Sequence, residues 1–466
     1  MRRGFIVLFL AGLAVRLALL VLEPTTVPVA DERVWLIAGI GSLAERAHFS
    51  PLLWRQIFYP PLFPYMIGVG NALGGMRAVT VLQVLASSLL IPAVGRIGDR
   101  LGSERVGTAA AALAAFWPEF VWHAVHFWAE PLYLTLLFWS FERLLVASSV
   151  RRAGAALTAG ILFGLATLTR EPALYFAPLA ALWLACRSAS AGRRQAAVFL
   201  IATLVTLAPW TLRNWVVYRA FIPVSLMSGR TLWEGNTSLS HSQVFRRYNA
   251  IRGGRDVALK QYRIAVQSAV DNIVARQPWW FFEKLGEQMP RFWAADNLAL
   301  IHMGRGAYGP VSTTSFRLVA LATLAPYLAL MLAFLVGVCR VRWSSGIALL
   351  LGFLLYYCLV HVVVHGHPRF RLPVTPIVML VAAAAWLAPL EERVAWTNPR
   401  RIVAALLGCV FGIAIAPGLR HRWEDPAWRL VPAQAEDGPA LHQSRHEERS
   451  PEGVPEHKHK RRQLQR

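Results

Sequence analysis

The sequence predicts an all-α polytopic membrane protein, and three observations point there. Of 466 residues, 56% are hydrophobic and only 16% are charged, where a soluble chain carries about a quarter charged. Apolar runs of about 20 residues recur along most of the length, which is what a helix needs to cross a bilayer. The short alternating segments of a membrane barrel are missing.

Taken in order, about eleven spans are expected: 4–22, 77–96, 106–122, 128–147, 154–169, 172–186, 196–213, 318–339, 344–364, 372–390 and 402–418. The first follows Arg2-Arg3 and runs on without a small-x-small cleavage site, so it reads as a membrane helix rather than a removed signal. With the N-terminus inside, the inner loops hold Arg96, Arg100 and Arg105, then Arg151 and Arg152, then Arg187, Arg193 and Arg194. Arg340 and Arg342 follow, and finally Arg393, Arg400 and Arg401. Every inner loop is basic, as orientation by positive charge requires. The net charge of +22 would suggest nucleic acid in a soluble protein; here the arginines set orientation, and no nucleic-acid partner is expected. Cys186, Cys339, Cys358 and Cys409 sit in or beside apolar spans without CxxC spacing, as small core residues do.

Two long segments face outward. In the first, 23–76, the stretch Asp31–His48 has the amphipathic pattern of a helix lying on the membrane surface. The second, 214–317, holds no span and should fold as a small outer domain, with Pro278-Trp-Trp-Phe-Phe282 suited to the headgroup level. The chain thus divides into an N-terminal membrane module 1–213, the outer domain 214–317, C-terminal membrane helices 318–418 and a basic tail 419–466. The tail lacks apolar periodicity and reads as disordered. An eleven-span count puts it outside, against the charge rule.

The polar residues with chemical potential gather at the outer ends of the spans: Asp31, Glu32, Glu130, Arg170, Glu171, Arg213, Arg369 and Arg371. A charge beside a membrane core is costly, so a one-sided set implies a site. Asp31-Glu32 opens the surface helix. Carboxylates there cap a helix, and beside a membrane one can also act as a general base. The arginines can anchor helix ends in headgroups or, by their planar forks, hold a phosphate. Glu130 with His126 is a weak metal-ligand pair, and a helix cap or a satisfied interfacial histidine explains both more simply. Asn236-Thr-Ser has sequon form.

These motifs together resemble the GT-C membrane glycosyltransferases, in particular the bacterial branch related to protein O-mannosyltransferases and to the aminoarabinose and galacturonic acid transferases of lipopolysaccharide. The resemblance covers about residues 1–375. It is carried by Asp31-Glu32, Tyr59-Pro-Pro-Leu-Phe-Pro-Tyr65, Ala129-Glu-Pro-Leu-Tyr133 and Thr169-Arg-Glu-Pro172. It continues through Pro209-Trp-Thr-Leu-Arg-Asn214, the Ile222-Pro-Val-Ser loop reaching Gly235-Asn236, and Pro368-Arg-Phe-Arg-Leu-Pro373. Where that group often has Tyr shortly after the acidic pair, this chain has Trp35.

The resemblance implies a GT-C-like helical bundle in the bacterial inner membrane with its site facing the periplasm. It implies an inverting hexosyl or pentosyl transferase that moves a sugar from a polyprenyl-phosphate donor to a lipid, glycan or protein acceptor. Asp31 takes the role of base with Glu32 as the second acid. Arg170, Arg213, Arg369 and Arg371 become donor-phosphate ligands, and Tyr59, Glu130 and Glu171 line the substrate site. A divalent metal is left open, and no Gly-rich loop for a nucleotide is present. Two rivals use the same lipid-linked sugars. A transporter or flippase should show repeated halves and broken mid-membrane helices, and neither is evident. A surface-polysaccharide ligase or polymerase shares the topology, and the early acidic pair favours the transferase.

Overall fold

The computed structural model describes residues 2–22, 31–44, 58–150, 153–188, 190–253, 257–304, 306–307 and 309–388, with 408 and 412. Span 402–418 falls almost wholly outside these residues, and the tail 419–466 entirely so. Among the described residues there is no strand, and the architecture is all-helical, as the sequence predicts. Among the described residues six helical stretches are long and apolar enough to cross a membrane, and Ala153–Thr169 and Glu171–Ala185 are shorter apolar helices. Many apolar side chains on the spans face outward, among them Leu10, Leu204, Val205, Leu321, Leu332 and Leu355. That surface suits lipid and would be a liability in water.

The first helix, α1 (Arg3–Leu22), is followed by α2 (Asp31–Ala44) and α3 (Leu62–Ser88). Gly74 and Gly75 interrupt α3, and Gly75 takes φ +68, the left-handed region that glycine alone enters freely. The piece before the break turns back on the piece after it: a Cβ on Gly70 would stand 2.9 Å from the Val79 Cα. Beyond Leu89 the chain continues as α4 (Leu90–Leu101).

The predicted span 106–122 is a broken helix, α5 (Glu104–Phe116) and α6 (Pro118–Val125). Pro118 has no N–H to offer the Ala114 carbonyl, and it drives Trp117 into an extended conformation (φ −63, ψ 120). In a bilayer such carbonyls need another donor. Arg16 of α1 supplies it, donating to Ala115 O at 2.8 Å, Ala114 O at 3.3 Å and Gly12 O at 2.9 Å, with its Nε on Ser87 Oγ at 3.1 Å. Gln83 caps the end of α6 in the same way, donating to the His123 carbonyl at 2.8 Å and to that of His126.

Next come α7 (Glu130–Val150), α8 (Ala153–Thr169), a 3-10 turn (Glu171–Phe176), α9 (Ala177–Ala185) and α10 (Ala191–Tyr218). Helices α7, α8 and α10 form one packed row. Gly160 lets α8 and α10 close up, since a Cβ there would lie 2.4 Å from the Phe199 carbonyl oxygen, the usual service of small residues between membrane helices. The outer segment holds α11 (Met227–Gly235), α12 (His241–Ala250), α13 (Val257–Ala275), α14 (Trp280–Phe292) and α15 (Leu298–Gly304). Its Trp233, Val244, Tyr248 and Ala265 share a core with Trp35 and Leu36 of α2 and with Tyr59 and Phe63. The two outward segments are therefore built on one another. On α2, Glu32, Trp35 and Leu36 are buried, while Ile37 and Ile40 are exposed. Trp279 and Phe282, at the head of α14, are also exposed.

The chain returns through α16 (Thr313–Arg340), α17 (Ser345–Val363), a 3-10 turn (Pro368–Val374) and α18 (Thr375–Leu387). Helix α18 is buried along most of its length and packs on both α16 and α5. That central seat fixes the 3-10 turn ahead of it against the ends of its neighbours.

Candidate functional site

The site is built where three chain breaks meet. Glu130 is the first residue of α7, Arg170 follows the last residue of α8, and Arg369 and Arg371 lie in the 3-10 turn before α18. Pro131, Pro172 and Pro368 mark these starts, each at a position where a helix loses nothing by the missing N–H. His367 holds the last turn open by accepting the Arg369 N–H at 3.1 Å through Nδ1.

Glu130, 1% exposed, is the centre. Its Oε1 pairs with Arg170 and, at 2.8 Å, with the Arg369 Nε. The Arg369 guanidinium also lies 4.6 Å from the Trp128 ring, and Phe370 lies beside both arginines, at 5.5 Å from Arg170 and 5.3 Å from Arg369. Just below, Arg371 pairs with Glu119 at 2.6 Å, donates to the Ala294 carbonyl and lies over the Tyr327 ring at 4.2 Å. Among the described residues, three guanidinium groups and two carboxylates thus meet in a desolvated pocket, where Coulomb forces are strong. A cleft beneath Glu130 is lined by Ser87, Phe120, His123, Leu134 and Leu372. Burial pushes the His126 imidazole down to about 4. The Nδ1–H of His126 donates to Trp122 O at 2.8 Å, and its ring stacks on Trp122.

The remaining sequence-predicted residues lie in other groupings. Arg213 rests against Trp210 at 4.9 Å and Tyr218 at 5.4 Å and donates to the Asn214 side chain. Around it the Ile222-Pro-Val-Ser loop is tied down by Asn214 to Ile222 O, Thr211 to Pro223 O and Trp210 to Val224 O. Glu171 closes the same loop by accepting the Ser225 N–H at 2.6 Å. Desolvation raises the Glu171 carboxyl to about 7 against the opposing hydrogen bonds from Ser225 and Ser228. Tyr59 stands in the outer core, 4.6 Å from the Trp35 ring. Glu32 is buried one turn before that core. Asp31 is the first residue of α2, and its side chain lies outside the described residues. Asn236, in the sequon-like triplet, is wholly buried, donating to Val363 O and accepting from the Trp280 indole.

Among the described residues no three His, Cys, Asp or Glu side chains gather as a cation-binding set. Glu130 is taken up by Arg170 and Arg369. Sequence reasoning missed Glu119 and Trp128. A carboxylate inside the predicted span 106–122 was the available signal for Glu119, because such a charge needs a partner.

Residues 59–212 match the family model described as dolichyl-phosphate-mannose-protein mannosyltransferase. The resemblance to GT-C glycosyltransferases stands. The matched stretch includes Glu119, Glu130 and Arg170, and it ends just before Arg213. No curated protein matches the chain in sequence. Among solved structures, an oligosaccharyltransferase of Archaeoglobus fulgidus in complex with Zn and sulfate is similar at 18% identity and TM-score 0.48, with 89% of this chain and 52% of that one covered. The Archaeoglobus fulgidus AglB complex with an inhibitory peptide and a dolichol-phosphate gives 14%, 0.46, 90% and 55%. ArnT from Cupriavidus metallidurans bound to undecaprenyl phosphate gives 16%, 0.39, 83% and 78%. The chain spans about half the length of the archaeal structures.

Proposed function

We infer that this protein transfers a sugar from a polyprenyl-phosphate donor to an acceptor hydroxyl or amine at the end of the bundle that carries Glu130. The observation that supports this most is the convergence of Arg170 and Arg369 on one buried carboxylate, with Arg371 next to them. Glu130 holds the two forks at fixed positions, and planar guanidinium groups held in this way suit the oxygens of a lipid-linked phosphate. The basic loops at the opposite ends of the spans support a reading in which this end faces away from the cytoplasm, the periplasm in a bacterial inner membrane.

The chemistry then runs in one displacement. The acceptor oxygen or nitrogen attacks the anomeric carbon, and the bond from that carbon to the phosphate oxygen breaks. The lipid phosphate leaves with the electron pair, and the acceptor proton passes to the Asp31 carboxylate, with Glu32 beside it. A single displacement inverts the anomeric centre. The arginines act on the charge that grows on the leaving phosphate, which is where fixed donors lower a barrier most. Arg213 and Glu171 frame the Ile222–Ser225 loop as a second wall of the substrate site, and Tyr59 supports α2 behind the acidic pair.

The test is transfer from labelled polyprenyl-phosphate sugars in membranes containing the full chain or its Arg369→Ala variant. Transfer by the full chain and its loss by at least a hundredfold in R369A, about 3 kcal/mol of lost charge stabilisation, supports the reading. Equal transfer by both would remove Arg369 from the donor site. Accumulation of one lipid-linked sugar in cells lacking the protein would name the donor, and the missing decoration would name the acceptor.

A further inference from the structure

The opposite end of the same helices carries a second charged cluster that the transfer reaction does not use. Glu142 lies on α7 a little over three turns beyond Glu130, about 18 Å along the axis. Its side chain is wholly buried, and three arginines converge on it. Arg96 pairs at 3.0 Å and Arg100 at 3.2 Å, both from α4, and the adjoining Arg143 pairs as well. One carboxylate cannot balance three guanidinium groups. Asp99 and Glu104 share Arg2, at 3.3 Å and 3.1 Å, and Asp99 is also within electrostatic reach of Arg96 and Arg100, so with Arg2 included four guanidinium groups meet three carboxylates. Arg105 of α5 adds a further exposed positive charge at this end.

The depth of the cluster is also defined. Arg100 stands in the last turn of α4, and the start of α17 abuts it, because a Cβ on Gly346 would lie 2.7 Å from Leu101 and 3.0 Å from Leu145. The Trp139 indole lies 5.9 Å from Arg96 and donates to the Leu89 carbonyl, in the manner of a tryptophan at the edge of the hydrocarbon. The three arginine side chains remain between a quarter and a third exposed. They are thus anchored on one side by Glu142 and partly exposed on the other.

We propose that Arg96, Arg100 and Arg143, held in place by Glu142, bind the phosphate of an anionic phospholipid in the leaflet opposite the Glu130 site. Planar forks arranged around a common centre match phosphate oxygens, and the carboxylate both positions the forks and competes with the ligand for them. That competition gives the proposal a signature that a purely structural ion cluster lacks.

The full chain is purified and placed in nanodiscs of phosphatidylcholine with added phosphatidylglycerol, and the bound lipid is read by native mass spectrometry. Arg96→Gln with Arg100→Gln should lower retained phosphatidylglycerol relative to phosphatidylcholine, by about fivefold for each arginine. Glu142→Gln should raise it by about fivefold, because the competing charge is gone. Unchanged retention in the double variant, or a fall in E142Q, would overturn the proposal. Displacement of the lipid by millimolar inorganic phosphate would also overturn it, assigning the cluster to a free anion. Should E142Q fail to fold, Arg143→Gln serves instead, with a fivefold fall supporting the proposal and no change refuting it.

Discussion

Replacing Glu130 by Gln keeps the shape of the side chain and removes its charge, leaving Arg170 and Arg369 facing each other in a pocket where each is less than 15% exposed. At the 2.8 Å contact to Arg369 the charge centres lie about 4 Å apart, which at an effective dielectric near 20 corresponds to about 4 kcal/mol for that pair. Breaking a buried pair by removing one partner costs about 3–5 kcal/mol, so the two figures agree. In detergent-solubilised protein, E130Q should lose stability on that scale. Combining E130Q with Arg369→Gln should cost clearly less than the sum of the two single changes, because the second substitution removes part of the stranded charge. A donor-like anion should replace the missing carboxylate, so polyprenyl phosphate should stabilise E130Q more than it stabilises the unaltered protein. An E130Q protein as stable as the original, or strictly additive losses in the double variant, would refute the assignment of Glu130 as the counter-charge that holds the two forks.

Other outcomes follow from particular contacts. Asp31→Asn should abolish sugar transfer while leaving the protein folded in membranes, and retained transfer in the labelled-donor assay would remove Asp31 as the base. Arg16→Ala should lower stability in chemical unfolding, because the Ala114 and Ala115 carbonyls lose their donor at about 1–3 kcal/mol each; an unchanged midpoint would mean that water replaces the guanidinium. The raised Glu171 carboxyl gives a contribution that is complete below its unfolded value near 4.5 and lost as pH rises through about 7. Protease cleavage of the 222–228 loop should therefore increase between those pH values, and Glu171→Gln should flatten that dependence.

Much of the membrane architecture was legible because length and apolarity are local properties. Span 344–364 matches Ser345–Val363, and span 154–169 matches Ala153–Thr169, to within a residue. The break at Pro118 was hidden because the apolar run continues through Trp117, although the proline itself was the mark of it. The boundary placed at residue 213 falls inside a helix that runs on to Tyr218, since Asn214-Trp-Val-Val-Tyr218 carries no breaker. The Glu130, Arg170 and Arg369 grouping was visible only as a shared side of the membrane; its pairing depends on how helices pack. Glu119 and Arg371, 252 residues apart, meet for the same reason, and no periodicity records such a contact. The triplet at Asn236 looked like a modification signal, yet its asparagine is internal, because burial there is set by the docking of α11 on the end of α17.

The guanidinium of Arg16 makes one helix answerable for a flaw in another. The carbonyls bared at the Trp117-Pro118 corner belong to one helix and their donor to another, about a hundred positions away in the chain. The corner that carries Glu119 and His123 therefore owes its place in lipid to the side chain of a separate helix.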